Sequence, residues 1–225
     1  MRTTDTHVYF WPGALSNWHL GKPFAGSRAY AETVARLDGL GIQRPHDDAL
    51  SSRLLRAATF VCGEQWMMAC KAWLMDRSVL LARCDVAATP VEEGLRLALL
   101  AVAPAAGQPG HRLWSTPLAQ VLRTGDPAAQ KGIGRAITPY DDALWTAARV
   151  ACVIGGTIAR MEADAGARRV LLSTGDRVIV EGSPKDEIWG VGLKWNDDRI
   201  LDRANWRGLN LLGEVHHVVR GLLAA

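Results

Sequence analysis

Apolar residues fall on nearly every side of the segment 64–75, which reads Glu-Gln-Trp-Met-Met-Ala-Cys-Lys-Ala-Trp-Leu-Met. A helix that is apolar all round is one that protein encloses on all sides. Two charged residues, Glu64 and Lys71, interrupt this pattern, and charged side chains are seldom buried without a reason. We therefore predict a central helix over residues 64–75 whose polar side chains carry information about function.

Short polar residues followed by proline mark further helix starts, because proline fits the first helical position and the polar side chain caps it. Thr116-Pro117 and Asp126-Pro127 predict two short helices, and Thr89-Pro90 with Glu92 forms a capping box. Other patterns predict helices at about 27–37, 47–58, 90–103, 141–165 and 209–223, and strands at 7–11 and 178–181.

The pattern as a whole contains many helices, few strands and no internal repeat. It predicts a mainly α (α-rich α+β) fold, in which residues 1–225 form a single multihelical domain with a few short β-strands. We expect the helices of residues 27–58 to be peripheral, Ser27 to cap the first of them, and Gly155-Gly156 to interrupt or bend the long helix.

Composition and charge agree with one globular domain. Of the 225 residues, 48% are hydrophobic and 22% are charged, and 26 basic against 23 acidic residues give a net charge of +3. This balance permits an anionic substrate without requiring one. The longest apolar stretch, 95–106, contains Arg96 and Pro104 and is too short to span a bilayer. We expect a cytoplasmic protein that does not contact membranes.

Cysteine and histidine spacing favours neither a metal site nor a disulfide framework. Cys62, Cys70, Cys84 and Cys152 form no CxxC pair and are expected to be buried free thiols. The adjacent pair His216-His217 points to two faces of one helix, which is unsuited to holding a metal together. We predict no metal and no cofactor.

Two groups of residues are candidates for chemistry. Glu64 and Lys71 are two helical turns apart, so they project from one face and reach one pocket, unless they extend to solvent or pair with distant charges. Residues 181–192 combine carboxylates, an indole and glycines in an irregular segment, which is typical of a functional loop but also of a solvated turn. Trp189 in this loop suits either base stacking or anchoring in the core.

These residues resemble the NADAR family, also called the YbiA-like proteins, in order along most of the chain. The similar motifs are 10–18 with Leu15-Ser16-Asn17; Glu64-Gln65-Trp66 through Lys71-Ala72; Asp126-Pro127 with Lys131, Gly134 and Arg135; Trp145 and Arg149; Ser173-Thr174-Gly175-Asp176 leading to Glu181, Ser183, Asp186 and Trp189-Gly190-Val191-Gly192; and Trp206, Gly208, Asn210, Leu212, Gly213 and Arg220.

The chain departs from the family pattern at a few places. Residues 23–58 and 76–116 are longer than the usual connections, and Arg160-Met161 stands where Lys-Phe is common. His216-His217 replaces an apolar pair. These departures bear on the identity of the substrate more than on the chemistry.

The resemblance implies a hydrolase that cleaves the N-glycosidic bond between ribose C1′ and an exocyclic nitrogen of an aromatic ring. In this scheme Glu64 transfers protons, Lys71 attacks C1′ as an amine, and Asp186 stabilises positive charge at C1′. The residues that it implies for substrate binding are Ser16, Asn17, Lys131, Arg135, Trp189 and Gly190.

Three functions remain open at this point. The first is removal of ADP-ribose from guanine in DNA or a nucleotide, with a cognate ADP-ribosyltransferase toxin as the partner of an antitoxin. The second is hydrolysis of phosphoribosylaminopyrimidine intermediates of riboflavin biosynthesis. The third is a non-catalytic module that binds NAD or ADP-ribose, against which the presence of Glu64, Lys71 and Asp186 argues.

Overall fold

Helices predominate in the computed structural model, which describes residues 1–75, 90–108 and 110–224. They are α1 (Gly26–Gly39), α2 (Leu50–Ala57), α3 (Gly63–Met75), α4 (Val91–Ala98), α5 (His111–Trp114), α6 (Pro117–Arg123), α7 (Pro127–Arg135), α8 (Asp142–Ala163), α9 (Ala165–Leu172) and α10 (Leu211–Ala224). Two 3₁₀ turns occupy Asp198–Leu201 and Arg203–Asn205. The predicted mainly α fold is confirmed.

Two small sheets complete the described part of the fold. One contains β1 (Arg2–Thr3), β2 (His7–Phe10) and β5 (Val178–Glu181) in the order β1-β2-β5, and the other pairs β3 (Phe24–Ala25) with β4 (Thr59–Phe60). Strands β2 and β5 are parallel, with His7 opposite Val178 and Phe10 opposite Glu181. Because parallel strands end at the same edge of a sheet, the loops that follow β2 and β5 emerge side by side.

Helix α3 lies at the centre of the main core, as its sequence predicts. It packs against α6, α7 and α8, and every residue from Gly63 to Met75 except Lys71 is buried. The indole N–H of Trp66 donates to the carbonyl of Cys152 at 2.8 Å, and that of Trp73 donates to the Ser52 hydroxyl at 2.9 Å. These bonds satisfy the polar atoms of the two large side chains inside the core.

Helix α8 continues through Gly155-Gly156, so an interruption there, one of the two outcomes that we expected, is wrong. A Cβ atom on Gly155 would lie 2.2 Å from Thr33 Oγ1, and one on Gly156 would lie 2.2 Å from Trp66 Cδ1. The two glycines therefore allow α1 and α3 to approach α8 closely. Sequence patterns do not separate this use of glycine from a helix break, because both place glycine inside a helical period.

The segment expected to be peripheral belongs partly to the core. Ala29, Thr33 and Leu37 of α1 are fully buried, and α1 packs along α8. Its N-cap is Ala25, which makes no side-chain cap bond, so the prediction that Ser27 caps this helix is also wrong. The longer segment at 23–58 thus adds packing to the centre of the fold.

The helix starts predicted at Thr116-Pro117 and Asp126-Pro127 are confirmed. The side chains of Thr116 and Asp126 accept hydrogen bonds from backbone N–H groups of α6 and α7. Helix α4 begins after Pro90 and ends at Ala98, earlier than the predicted end near residue 103. Its proposed cap, Thr89, lies outside the described residues.

The expectation that the cysteines are buried free thiols is confirmed for the three that the structure describes. Cys62, Cys70 and Cys152 are free and buried, whereas Cys84 lies outside the described residues.

Helix α8 is long and apolar enough to cross a bilayer, but 61% of its most apolar window is buried inside the fold. That burial is typical of a core helix.

Candidate active site

A cavity of about 440 Å³ opens where the loops after β2 and β5 meet α3 and α7. The predicted site residues that line it are Asn17, Glu64, Lys71, Lys131, Arg135, Asp186 and Trp189. The structure therefore brings together residues from four separate segments of the sequence. Trp18 and Glu181 also line the cavity, although we did not predict them as site residues.

Glu64 is a buried carboxyl group at the start of α3, with only 2% of the residue exposed. Burial raises its pKa to about 7, and the nearby Asp186 adds to this rise. Lys131, a hydrogen bond from the Trp18 side chain and Arg135 lower the pKa and so limit the shift. The Oε1 atom has no hydrogen-bond partner among the described residues. A carboxyl group of this kind exists in both protonation states near neutral pH, which suits proton transfer.

Glu181 is a second buried carboxyl group, at the end of β5. Burial raises its pKa to about 8, with further increases from Asp186 and Glu64. The side chain of Asn210 holds this strand end, because its Oδ1 accepts from Glu181 N at 2.9 Å and its Nδ2 donates to the Ile179 carbonyl at 2.9 Å. Asn210 has a φ of 55°, a left-handed conformation that asparagine tolerates better than most residues. Asn210 thus fixes the backbone at Glu181, and the raised pKa favours the protonated form of its side chain at neutral pH.

Asp186 is oriented by three donors. Its Oδ1 accepts hydrogen bonds from the backbone N–H groups of Ile188 at 3.1 Å and Trp189 at 2.8 Å, and its Oδ2 faces Lys131 Nζ at 3.4 Å. A carboxylate satisfies all three contacts, since ionised carboxylates only accept. Asp186 therefore presents a hydrogen-bonded carboxylate to the cavity beside Glu64 and Glu181, the two carboxyl groups with raised pKa values.

Lys71 and Lys131, two of the three lysines that line the cavity, have different surroundings. Lys71 Nζ donates to the Gly134 carbonyl at 2.8 Å and lies 4.4 Å from the ring centroid of Tyr140. Burial lowers the pKa of Lys71, and it forms no ion pair with any carboxylate of the described residues. Lys131, in contrast, pairs with Asp186 and acts electrostatically on both Glu64 and Glu181. Lys131 is thus paired with a carboxylate, whereas Lys71 is held by a backbone carbonyl beside an aromatic ring.

The loop after β2 supplies one wall of the cavity. The carbonyl of Asn17 accepts from Glu64 N at 2.8 Å, so the loop is bonded directly to the start of α3. A Cβ atom on Gly63 would lie 2.5 Å from Asn17 Oδ1, and glycine is therefore required for this close approach. The Trp18 ring is 46% exposed and lies 5.8 Å from Lys131 Nζ, where it forms part of the cavity rim.

Two of the predicted substrate-binding residues lie outside the cavity lining. The Ser16 hydroxyl accepts from Trp18 N at 3.1 Å and so shapes its own loop. Gly190 lies where its backbone closely approaches that of Gly208, since a Cβ atom on Gly208 would be 2.2 Å from the carbonyl oxygen of Gly190. Both residues support the walls of the cavity and present no side-chain atom to its interior.

The sequence analysis included Glu181 in the candidate loop 181–192 but gave it no role of its own, although the sequence contains a signal for one. A charged residue ends an otherwise apolar strand, directly before the glycine-rich loop that carries Asp186. Trp18 gave no such signal, because an exposed indole in a loop is compatible with many roles. Within the described residues, no group of three or more His, Cys, Asp or Glu side chains is arranged to hold a metal ion.

Known proteins share parts of this sequence. Residues 110–224 match a family model described as the NADAR domain. Protein irg-1 of Caenorhabditis elegans is 35% identical over 103 residues, which cover 45% of this chain and 49% of that protein. An N-glycosidase of Acanthamoeba polyphaga mimivirus is 32% identical over 90 residues, which cover 40% of this chain and 53% of that protein. An N-glycosidase of Nostoc punctiforme is 32% identical over 112 residues, covering 48% and 64%.

Each of these alignments spans less than two thirds of the relative's own length. The NMR structure of the E. coli protein YbiA resembles the whole fold more widely, with a TM-score of 0.53 over 99% of this chain and 88% of that one. The sequence identity of that pair is 16%, so the similarity shows a shared YbiA-like fold.

Proposed function

The chain belongs to the NADAR domain family, and from this premise we propose that it is an N-glycosidase. The bond it cleaves joins C1′ of a ribose to an exocyclic nitrogen on an aromatic ring. One observation carries the proposal: two buried carboxyl groups, with pKa values of about 7 and about 8, face a fixed carboxylate in one cavity. Such a set provides proton transfer and stabilisation of positive charge together.

The proposed reaction begins with proton transfer from Glu64. Protonation of the ribose ring oxygen breaks its bond to C1′, and the nitrogen electron pair forms a protonated imine at C1′. Asp186 stabilises this positive charge, while neutral Glu181 donates a hydrogen bond to the substrate. In this scheme the carboxyl groups of Glu64, Glu181 and Asp186 hold the sugar and its departing nitrogen.

Lys71 is the proposed nucleophile of the second step. The neutral amine adds to C1′, and the aromatic amine leaves with a proton from the enzyme, so that an imine joins Lys71 to the sugar. Water then adds to C1′, releases the sugar and restores the lysine amine and the Glu64 proton. Lys71 suits this step better than Lys131, because burial lowers the pKa of Lys71 whereas Lys131 forms an ion pair with Asp186.

We propose ADP-ribose attached to guanine in DNA or a nucleotide as the substrate. Three basic side chains besides Lys71 line the cavity and suit a pyrophosphate group: Lys131, Arg135 and Lys185. The indole rings of Trp18 and Trp189 offer surfaces on which a base stacks. A cognate ADP-ribosyltransferase toxin is the corresponding proposed partner, and the cytoplasm is the proposed location.

The test of the substrate uses a DNA oligonucleotide that carries ADP-ribose on one guanine. The purified protein is expected to release ADP-ribose, detected by mass spectrometry, at the same rate with and without EDTA. Hydrolysis of a phosphoribosylaminopyrimidine alone would identify the alternative substrate. Failure to hydrolyse either compound would refute the N-glycosidase proposal, and restoration of a chelated enzyme by zinc or magnesium would refute a metal-independent reaction.

The pH dependence of kcat/KM provides a separate prediction. Because protonated Glu64 starts the reaction, the rate is expected to fall as pH rises through about 7, the pKa of this group. Replacing Lys131 with Met should move this limb to higher pH, since the ammonium group lowers the pKa of Glu64. A flat profile between pH 6 and 8 would contradict the assignment of Glu64 as the proton donor.

A further inference from the structure

Two buried polar side chains lie behind the cavity and outside its lining. Arg160 of α8 is 2% exposed, and His216 of α10 is completely buried. Arg160 forms no ion pair with any described residue, and its Nε and Nη2 atoms have no hydrogen-bond partner there. An unpaired guanidinium inside a protein is costly, because its hydration is lost without full replacement. Its position therefore requires a reason other than stability.

Both side chains contact backbone carbonyl groups of the loop that follows β2. Arg160 Nη1 donates to the carbonyl oxygen of Ser16 at 2.7 Å, and His216 Nε2 lies 2.7 Å from the carbonyl oxygen of Leu15. A carbonyl only accepts, so Nε2 of His216 carries the proton. Burial lowers the pKa of His216 to about 3, and the imidazole is therefore neutral. Two helices that are far apart in sequence but packed against each other thus hold two consecutive carbonyl groups of one loop.

The next carbonyl in the same loop holds the start of α3. Asn17 O accepts from Glu64 N at 2.8 Å, and Trp18 N donates to the Ser16 hydroxyl at 3.1 Å. Any shift of the Leu15 and Ser16 carbonyls therefore moves Asn17 and Trp18 relative to Glu64. Arg160 and His216 hold the backbone of this loop from outside the cavity lining, whereas Asn17 and Trp18 of the same loop line the cavity.

We infer that Arg160 and His216 are positioning residues, which fix Asn17 and Trp18 against Glu64 by holding the backbone of their loop. The inference rests on the proposed function, since it gives Glu64 the proton-transfer role. It also extends that function, because neither residue touches the cavity.

The first test replaces Arg160 with Met, which keeps an unbranched stem but removes the charge and the hydrogen bond to Ser16. The thermal midpoint of Arg160→Met should equal or exceed that of the wild type, since the unpaired buried charge is gone. Turnover should nevertheless fall by about 10- to 100-fold, because small displacements of positioning groups reduce rates to this extent. The control Val219→Ala, in the buried face of α10, should lower the midpoint and leave kcat unchanged.

The second test compares His216→Gln with His216→Leu. A glutamine amide can donate to the Leu15 carbonyl and a leucine cannot, so Gln should recover most of the kcat that Leu loses. His216→Leu should also shift the Glu64 limb of the pH profile upwards, because the Trp18 hydrogen bond that lowers its pKa is weakened. The other charged groups that face Glu64 are unchanged in both variants: Lys131, Arg135, Glu181 and Asp186.

Hydrogen exchange of backbone amides tests the positioning role of Arg160 and His216 without requiring enzymatic activity. The backbone amides of Trp18 and Glu64 should exchange faster in Arg160→Met and His216→Leu than in the wild type, but not in Val219→Ala. Faster exchange in a protein that hydrolyses neither substrate would support the positioning role and refute the N-glycosidase function. If exchange at these amides and kcat both stay at wild-type values in Arg160→Met and His216→Leu, the positioning inference is wrong.

Discussion

Replacing Glu64 with Gln is expected to lower turnover by about 10²- to 10⁴-fold, the usual contribution of a positioned proton-transfer group. Glutamine keeps the size of the side chain but cannot donate the proton that opens the ribose ring. Single-turnover measurements on the ADP-ribosylated oligonucleotide would give the rate of the chemical step directly. The variant should still bind the substrate, so KM should change far less than kcat.

The same substitution is expected to raise stability at alkaline pH. The pKa of Glu64 is about 7 in the folded protein against an ordinary value of 4.5, so the folded state binds the proton more tightly. Wild-type stability therefore falls as pH rises between these two values. Gln removes this loss, which amounts to about 3 kcal/mol at most when each pKa unit is worth 1.36 kcal/mol.

Urea unfolding at pH 5 and pH 8 measures this effect. Glu64→Gln should gain stability over the wild type between the two pH values, and Glu181→Gln should behave similarly because the pKa of Glu181 is also raised. The two gains should not add fully, since Glu64 contributes to the shift of Glu181. A Glu64→Gln variant with wild-type turnover and wild-type pH dependence of stability would remove Glu64 from the mechanism.

Substituting Lys71 with Ala is expected to abolish nearly all turnover and to prevent a covalent adduct. In the wild type, borohydride added during turnover should reduce the imine and attach the sugar to Lys71, which mass spectrometry of peptides would locate. Lys131→Ala is the matched control: it should retain the adduct at Lys71, because Lys131 is paired with Asp186 and acts on the carboxyl groups.

The outcomes distinguish three mechanisms. An adduct on Lys131 would reverse the assignment of the two lysines. Wild-type turnover in Lys71→Ala without any trapped adduct would leave Glu64 and Asp186 to act directly on an oxocarbenium-like state. If the proposed route is correct, Glu64 and Lys71 act as a unit, and the double variant should be little slower than the slower single variant.

The sequence predicted the central helix and several caps because their signals are local. Apolar residues on all sides of α3 and the Thr116-Pro117 and Asp126-Pro127 pairs need no knowledge of the rest of the chain. The role of Gly155 could not be predicted in this way, since it depends on Thr33 of another helix. Helix–helix approach is a property of packing, and it has no periodic signature in one segment.

Much of the candidate site was predicted through the family resemblance. In the structure most of the predicted residues line one cavity, whereas Ser16 and Gly190 lie outside its lining. Spacing placed Glu64 and Lys71 on one helix face, but it gave no information about their partners. The pairing of Lys131 with Asp186 and the raised pKa of Glu181 arise from burial between distant segments. Such effects require the folded arrangement, because a side chain's dielectric surroundings are set by neighbours far away in sequence.

The parallel pairing of β2 with β5 also has a kinetic consequence. The two strands lie near opposite ends of the sequence, and a contact between such distant segments forms slowly because it closes a long loop of chain. Asn17 follows one strand, and Glu181 and Asp186 lie at or beyond the end of the other. During synthesis, the cavity can therefore be assembled only after β5 has left the ribosome.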